Sequence, residues 1–169
     1  MDIRVLKPAD AKAYFTLRLE ALQDTPEAFA SSYEEEKDTP LEVYRSRFQS
    51  DNPISITFGA FDQQKLIGVV SLVRESKLKL HHKANIFAMY ITPEKRGFGL
   101  SRILLGEAIK MAKTWRGLEQ INLAVVSTND AAKKLYASMG FEVFGHEKRA
   151  LKVGPNYYDE DHMALHLWK

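Results

Sequence analysis

The chain has 169 residues, 45% of them hydrophobic, with 24 basic against 22 acidic side chains for a formal net charge of +2. That size suits one well-packed domain over residues 1–169 and is short for two, and the near-neutral charge gives no general electrostatic argument for nucleic acid or a membrane surface. The absence of cysteine excludes disulfides, thiolate metal sites and a cysteine-bound acyl intermediate. Nothing near Met1 resembles a signal peptide, and no apolar run approaches the roughly 20 residues of a membrane span, so the cytoplasm is the expected compartment.

Ile3 and Val5 alternate with charged neighbours and predict a short opening strand, after which Asp10 is placed to cap a helix with Tyr14, Leu17, Ala21 and Leu22 on its apolar side. Pro26 marks the end of that helix. Thr39-Pro40-Leu41-Glu42 has the form of a capping box with proline at the first helical position, and Leu41, Tyr44 and Phe48 supply the buried stripe of a second helix. The link between them, Pro26 to Asp38, carries Phe29, Tyr33 and the run Glu34-Glu35-Glu36, which reads as a solvated face.

Ile54, Ile56, Phe58 and Ala60 alternate with Ser55, Thr57 and Gly59, and the apolar run Leu66 to Val73 follows across Asp62-Gln63-Gln64-Lys65, predicting an antiparallel hairpin. Glu75 to Lys83 is polar and basic. Its adjacent His81 and His82 would point to opposite faces of a strand, so no metal site is expected there. The same segment lacks interleaved aromatics, so no nucleic-acid partner is expected either.

Ile86 to Ile91 is a continuous apolar run, expected as a strand buried on both faces and ended by Pro93. Farther on, Leu100, Ile103, Leu104, Ala108, Met111, Ala112 and Trp115 recur at helical spacing, with Arg102, Glu107, Lys110 and Lys113 on the other side. Between the two elements lies Arg96-Gly97-Phe98-Gly99-Leu100-Ser101, whose glycines accept backbone angles closed to other residues. The first turn of the helix presents unpaired N–H groups and the positive end of its dipole, a place suited to a pyrophosphate with Arg96 and Arg102 at its rim. A glycine-softened connection without a ligand fits the turn as well, and it is neither a Walker loop nor a full dinucleotide fingerprint.

Ile121 to Val126 reads as another buried strand, and Ser127-Thr128-Asn129-Asp130 supplies cap chemistry for a helix that ends at Gly140. Ala132, Leu135, Tyr136 and Met139 share one face of it. From these residues alone Tyr136 is a core aromatic with its hydroxyl at the rim, and Asn129 is a helix cap. Phe141 to Trp168 contains two strands joined near Gly154-Pro155-Asn156, the last with Asp161, Met163, Leu165 and Leu167 on one face and His162, Ala164, His166 and Trp168 on the other.

The glycine turn resembles the acyl-CoA-binding signature of the GNAT superfamily of N-acyltransferases, Arg/Gln-x-x-Gly-x-Gly/Ala, with Arg96, Gly99 and Ser101 on its fixed positions; Ser101 departs from the usual Gly or Ala. The superfamily's second signature follows in order as Asn129-Asp-Ala-Ala132-Lys-Lys-Leu135-Tyr136-Ala-Ser-Met-Gly140-Phe141. The resemblance covers the back half of the chain firmly and the front half in outline. It implies an α/β (α+β) fold, a mixed and mostly antiparallel sheet of six or seven strands with helices on both faces.

The resemblance also implies an N-acetyltransferase that moves an acetyl group from acetyl-CoA to a primary amine, on a small molecule or a protein, by direct attack in a ternary complex. The cosubstrate would be held by Met89, Ile91, Arg96, Gly97, Phe98, Gly99, Leu100, Ser101, Arg102 and Asn129, with pantetheine in a gap between the strand ending at Ile91 and the strand from Ile121 to Val126. Tyr136 would protonate the departing thiolate, and no metal takes part. Deprotonating an alkylamine of pKa about 10.4 at neutral pH requires a base. Many relatives carry a glutamate on the central strand, but Asn85 to Ala88 has none. Glu34, Glu35, His82, Asp159 and Asp161 are the candidates, and the base stays unassigned. The missing glutamate motivates the alternative of a CoA-binding sensor or scaffold without turnover. The acceptor, the length of the acyl group and a homodimer remain open.

Overall fold

The computed structural model describes residues 1–49, 51 and 54–168. The alternating segments become β1 (Asp2–Val5), β2 (Ser55–Asp62), β3 (Lys65–Arg74), β4 (Lys83–Ile91), β5 (Gln120–Val126), β6 (Glu142–Val153) and β7 (Asn156–His166). They form a seven-stranded sheet in the order β1-β2-β3-β4-β5-β7-β6. Among the described residues β4 and β5 are the one parallel pair, because the chain between them must cross over through a helix, whereas the other neighbours run antiparallel. The expected mixed sheet is thus present with seven strands.

Helices α1 (Ala11–Asp24), α2 (Tyr33–Glu36) and α3 (Leu41–Arg47) lie on one face, and α4 (Leu100–Thr114) and α5 (Asp130–Ser138) on the other. Strand alternation sorts the apolar residues into two cores. Val70, Leu72, Ile86 and Ile121 pack against Leu104, Leu105, Ala108 and Tyr136. On the opposite side Phe61, Leu66, Val69 and Tyr90 pack against Tyr14, Leu17, Tyr44 and Phe48. Neighbours such as Val69 and Val70 therefore serve different cores, as the period of two in a strand demands. Full burial of a leucine such as Leu104 stabilises by about 2 kcal/mol.

The β2–β3 hairpin turns at Gln63 and Gln64, both with positive φ, which matches the right-handed twist of the flanking strands. Thr57 and Ser71 are buried across from one another and satisfy each other through a 2.7 Å hydroxyl–hydroxyl hydrogen bond.

Several local expectations are corrected. β4 is not buried on both faces, since Phe87 is 54% exposed: α1 to α3 pack over β1–β3 and leave the sheet around Phe87 bare, while beyond it the turn Pro26–Ala28 touches β5 and β6. In α4 the buried stripe runs through Leu100, Leu104, Leu105, Ala108 and Ala112, so that Leu105 is inside and Ile103 lies 47% exposed on its edge. Thr39 forms no capping box, because α3 begins at Leu41 and its N-cap is Pro40, which has no side-chain group to cap with. The box forms instead at Ser32 and Glu35, which exchange hydrogen bonds at the head of α2. Asp10 precedes α1 but turns its carboxylate back to the Lys7 N–H and to the Arg4 guanidinium. His81 and His82 occupy a turn ahead of β4 rather than the strand itself.

Candidate active site

The seam between β4 and β5 is paired at one end only. Lys83, Ala84 and Asn85 match Gln120, Ile121 and Asn122, and there the ladder stops. The cause lies on the other edge of β4, where Val69 pairs with Tyr90 and Ser71 with Phe87, so Val70 alone faces both Ala88 and Met89. Ala88 takes φ +56° to accommodate the extra residue. Such a bulge bends its strand, and here it carries the stretch from Ile86 to Ile91 away from β5. Met89 and Ile91 thus line a wedge that opens toward the end of β4.

β4 ends in a tight turn, Pro93–Lys95, followed by Arg96 and the glycine pair. Gly97 and Gly99 have φ +83° and +80°, so both use the left-handed region for which glycine was expected, and a Cβ at either would meet open space. Gly99 is the N-cap of α4 and has no side chain with which to cap it. Among the described residues no backbone N–H from Gly97 to Arg102 has a protein acceptor; the helix ladder begins at Ile103, which donates to the Gly99 carbonyl. A row of uncommitted donors thus faces solvent at the positive end of a helix of 15 residues, beside the open wedge. Phe98 projects outward, 73% exposed, while Leu100 is buried as the anchor of the turn and Ser101 sits half-buried in the first helical turn.

The two arginines of the turn are held by the protein. Arg96 donates through Nε to the Ile91 carbonyl at 2.9 Å and through Nη2 to Asp24 at 2.6 Å. The guanidinium keeps the Asp24 carboxyl below its usual range and lies over the Tyr90 ring. The Tyr90 hydroxyl lies 3.1 Å from the carboxylates of both Glu20 and Asp24, and burial, with Glu20 next, pushes its pKa up. The end of α1 is thereby tied to the end of β4. Arg102 reaches Ser138 at 2.6 Å and joins the head of α4 to the end of α5.

Tyr136 points into the core under α5, 7% exposed, with its ring edge-on to Phe141. Its hydroxyl has no hydrogen-bond partner among the described residues, and no fully buried side-chain polar atom is unpaired, so the oxygen borders accessible space. Burial pushes its pKa up to about 12. Asn129 is the N-cap of α5 and accepts the Ala132 N–H through Oδ1 at 3.2 Å. Its amide nitrogen has no protein acceptor among the described residues.

The candidate bases do not gather at the wedge. Glu34 pairs with Lys37, Glu35 caps α2, and His82 precedes the closed end of the seam. Asp161 and Asp159 lie on the face toward α5, flanking His146 at 2.7 and 3.1 Å. Asp161 also binds Lys133 at 2.7 Å, and His146 first and Lys133 second hold its carboxyl well below the usual range.

The opposite face of the sheet is different. Ladder registers place Asn85, Phe87, Asn122, Ala124, Glu160 and His162 on the side away from α4 and α5. His162 lies beside Ala124 on β5, and its Nε2 is 3.2 Å from Glu147 Oε2 on β6. Sequence reasoning missed this pair. The alternation of the last strand separated His162 from Asp161, but nothing local shows that β7 lies next to β5.

A family model described as an acetyltransferase (GNAT) domain matches residues 3–162. The chain belongs to this family of GNAT acetyltransferases. A spermidine N(1)-acetyltransferase from Vibrio cholerae is 32% identical over 103 residues, covering 61% of this chain and 58% of the relative, so the match spans little more than half of that protein. An acetyltransferase of the GNAT family from Streptococcus pneumoniae has the same fold, with TM-score 0.87 and 24% identity over 98% of this chain and 99% of that one. A putative acetyltransferase from Salmonella typhimurium with its cofactor acetyl-CoA gives TM-score 0.87 and 20% identity, covering 100% of this chain and 95% of the other. In this GNAT chain the two signature segments are the head of α4 and the body of α5, joined by the Arg102–Ser138 hydrogen bond. Among the described residues no helix is long and apolar enough to cross a membrane.

Proposed function

We propose that this GNAT chain is an acetyl-CoA-dependent N-acetyltransferase whose acceptor is a primary amine. The reading is carried by the uncommitted N–H groups from Gly97 to Arg102, which stand at the head of an uncapped helix beside the open β4–β5 seam. Those donors bind the diphosphate of coenzyme A, with Gly97, Phe98, Gly99, Leu100, Ser101 and Arg102 as its cradle. Arg96 acts at one remove, by fixing the turn on Ile91 and Asp24. Pantetheine then lies in the wedge along the main chain of Met89 and Ile91, near the free amide of Asn129, and brings the thioester toward Tyr136.

A neutral amine attacks the thioester carbonyl, forming the C–N bond. The oxyanion is met by main-chain N–H near Met89 to Ile91, and collapse breaks the C–S bond. Tyr136 gives its proton to the departing sulfur. With a pKa near 12 the phenol stays protonated at neutral pH, and the dry surroundings that raise it also raise the basicity of the thiolate it serves. The acceptor approaches from the bare face, where Phe87, Glu147 and Glu160 present an aromatic and acidic surface suited to a group that arrives as an ammonium.

Incubation of the protein with acetyl-CoA and a panel of amines, followed by titration of free thiol, tests the reading. Amine-dependent thiol release is expected, and coenzyme A alone should give saturable heat in calorimetry. Binding without release from any amine would favour a sensor or scaffold that holds coenzyme A without turnover.

A further inference from the structure

Resting on the acetyltransferase reading, we infer that His162, held in place by Glu147, is the acceptor-side base that takes the proton from the incoming ammonium. The approach to the seam is one-sided. α4 and α5 cover one face, so an amine reaches the gap from the other, between Phe87 on β4 and Ala124 on β5, both exposed. His162 sits directly across the β5–β7 ladder from Ala124, and such neighbours have Cβ atoms about 5 Å apart. It is a half-buried imidazole, one strand from the seam, on the face the amine must use.

Glu147 sets the tautomer. Its carboxylate, 3.2 Å from Nε2, accepts the Nε2–H and leaves the lone pair on Nδ1. The ring is bracketed by Phe144, 6.1 Å away between centroids. The carboxylates close to the ring are Glu147 on β6 and Glu160 on β7, while the turn Pro26–Ala28, which carries Glu27, touches β5 and β6. His162, Glu147 and Glu160 bring a nitrogen and two carboxylate oxygens within 4.8 Å of one another. Asp159 and Asp161 act elsewhere, on the α5 side.

The protons balance. The ammonium N–H bond breaks, its proton moves to Nδ1 of His162 and from there to solvent, and the freed pair on nitrogen forms the C–N bond. The C–S bond breaks with its pair on sulfur, which takes the Tyr136 proton. The amide nitrogen then loses its extra proton to the phenolate. One proton is released per turnover.

Steady-state kinetics of the full chain, with calorimetry of acetyl-CoA binding, test the assignment. His162→Gln should lower kcat/KM for an alkylamine about 100-fold at neutral pH and abolish the acid limb of its pH profile, while acetyl-CoA affinity stays native. The loss should largely vanish with a weakly basic amine that is already neutral at that pH, which a structural defect would not produce. Glu147→Gln, a positioning change, should cost about 10-fold and displace the limb. A His162→Gln variant that keeps the native rate and limb would overturn the inference, as would loss of the limb in Glu160→Gln alone. Failure of the underlying reading looks different: the wild-type protein itself would release no thiol with any amine, and His162 would then have no such role.

Discussion

The heads of α4 and α5 solve the same problem in opposite ways. Both helices begin just after a strand on the same face of the sheet, and each leaves first-turn N–H groups without helical partners. At α5 Asn129 supplies an oxygen and the end closes on itself. At α4 the N-cap is Gly99, and the donors from Gly97 to Arg102 stay open. A capped head stabilises the fold. An uncapped head next to a split seam forgoes that gain and leaves its donors and dipole open, as the proposed diphosphate site requires.

The largest expected effect comes from filling the open head. Ser101→Glu puts a carboxylate among the free N–H groups; coenzyme A should bind at least about 100-fold more weakly by calorimetry, near 2.7 kcal/mol. Acid in a first helical turn is favourable, so the thermal midpoint should hold or rise. Unaltered affinity would erase the contrast between the two heads. Next is the body of α5: Tyr136→Phe should reduce kcat about 30-fold, with coenzyme A affinity unmoved. A normal kcat would leave Tyr136 as a core aromatic.

Removing the closed cap should act mainly on stability. Asn129→Ala is expected to cost about 1 kcal/mol, a fall of about 3 °C in the melting midpoint, with nearly native coenzyme A binding. A large loss of affinity there would show that Asn129 serves the ligand more than the helix.

The smallest effect is the pH response of the contacts that tether α5 through Lys133. Asp161 has a lowered carboxyl pKa, owing first to His146 and then to Lys133, so its contribution is present above about pH 3.9 and lost as pH falls through the depressed value. His146 is raised by Asp161 and then Asp159, so its contribution is full below about pH 6.5 and fades as pH climbs through the raised value. Thermal melts across pH should show a modest maximum between those limits, and Asp161→Asn should flatten it.

Much of the fold was legible beforehand because its signals are local. The hairpin around Gln63–Gln64, the glycine turn before α4, the Asn129 cap and the helical face carrying Tyr136 each follow from a few adjacent residues, and each stands where expected. The misses share a different character. Thr39 and Ser32 both begin a pattern of hydroxyl followed three residues later by glutamate, and only the start of each helix decides which one caps. Phe87 looked like core because an apolar run carries no record of which face a distant helix will cover.

By itself the amino-acid sequence determined the strand order along the chain and every helix except the short α2, the positive-φ glycines before α4, and the family through its two signature segments, since these depend on backbone sterics and short-range spacing. Only the tertiary structure decided that the bulge at Ala88 opens the seam from β5, that Arg96 is spent on Ile91 and Asp24, and that His162 and Glu147 meet on the bare face. Those outcomes come from ladder register and from contacts between residues far apart in the chain, and no spacing along the chain encodes them in readable form.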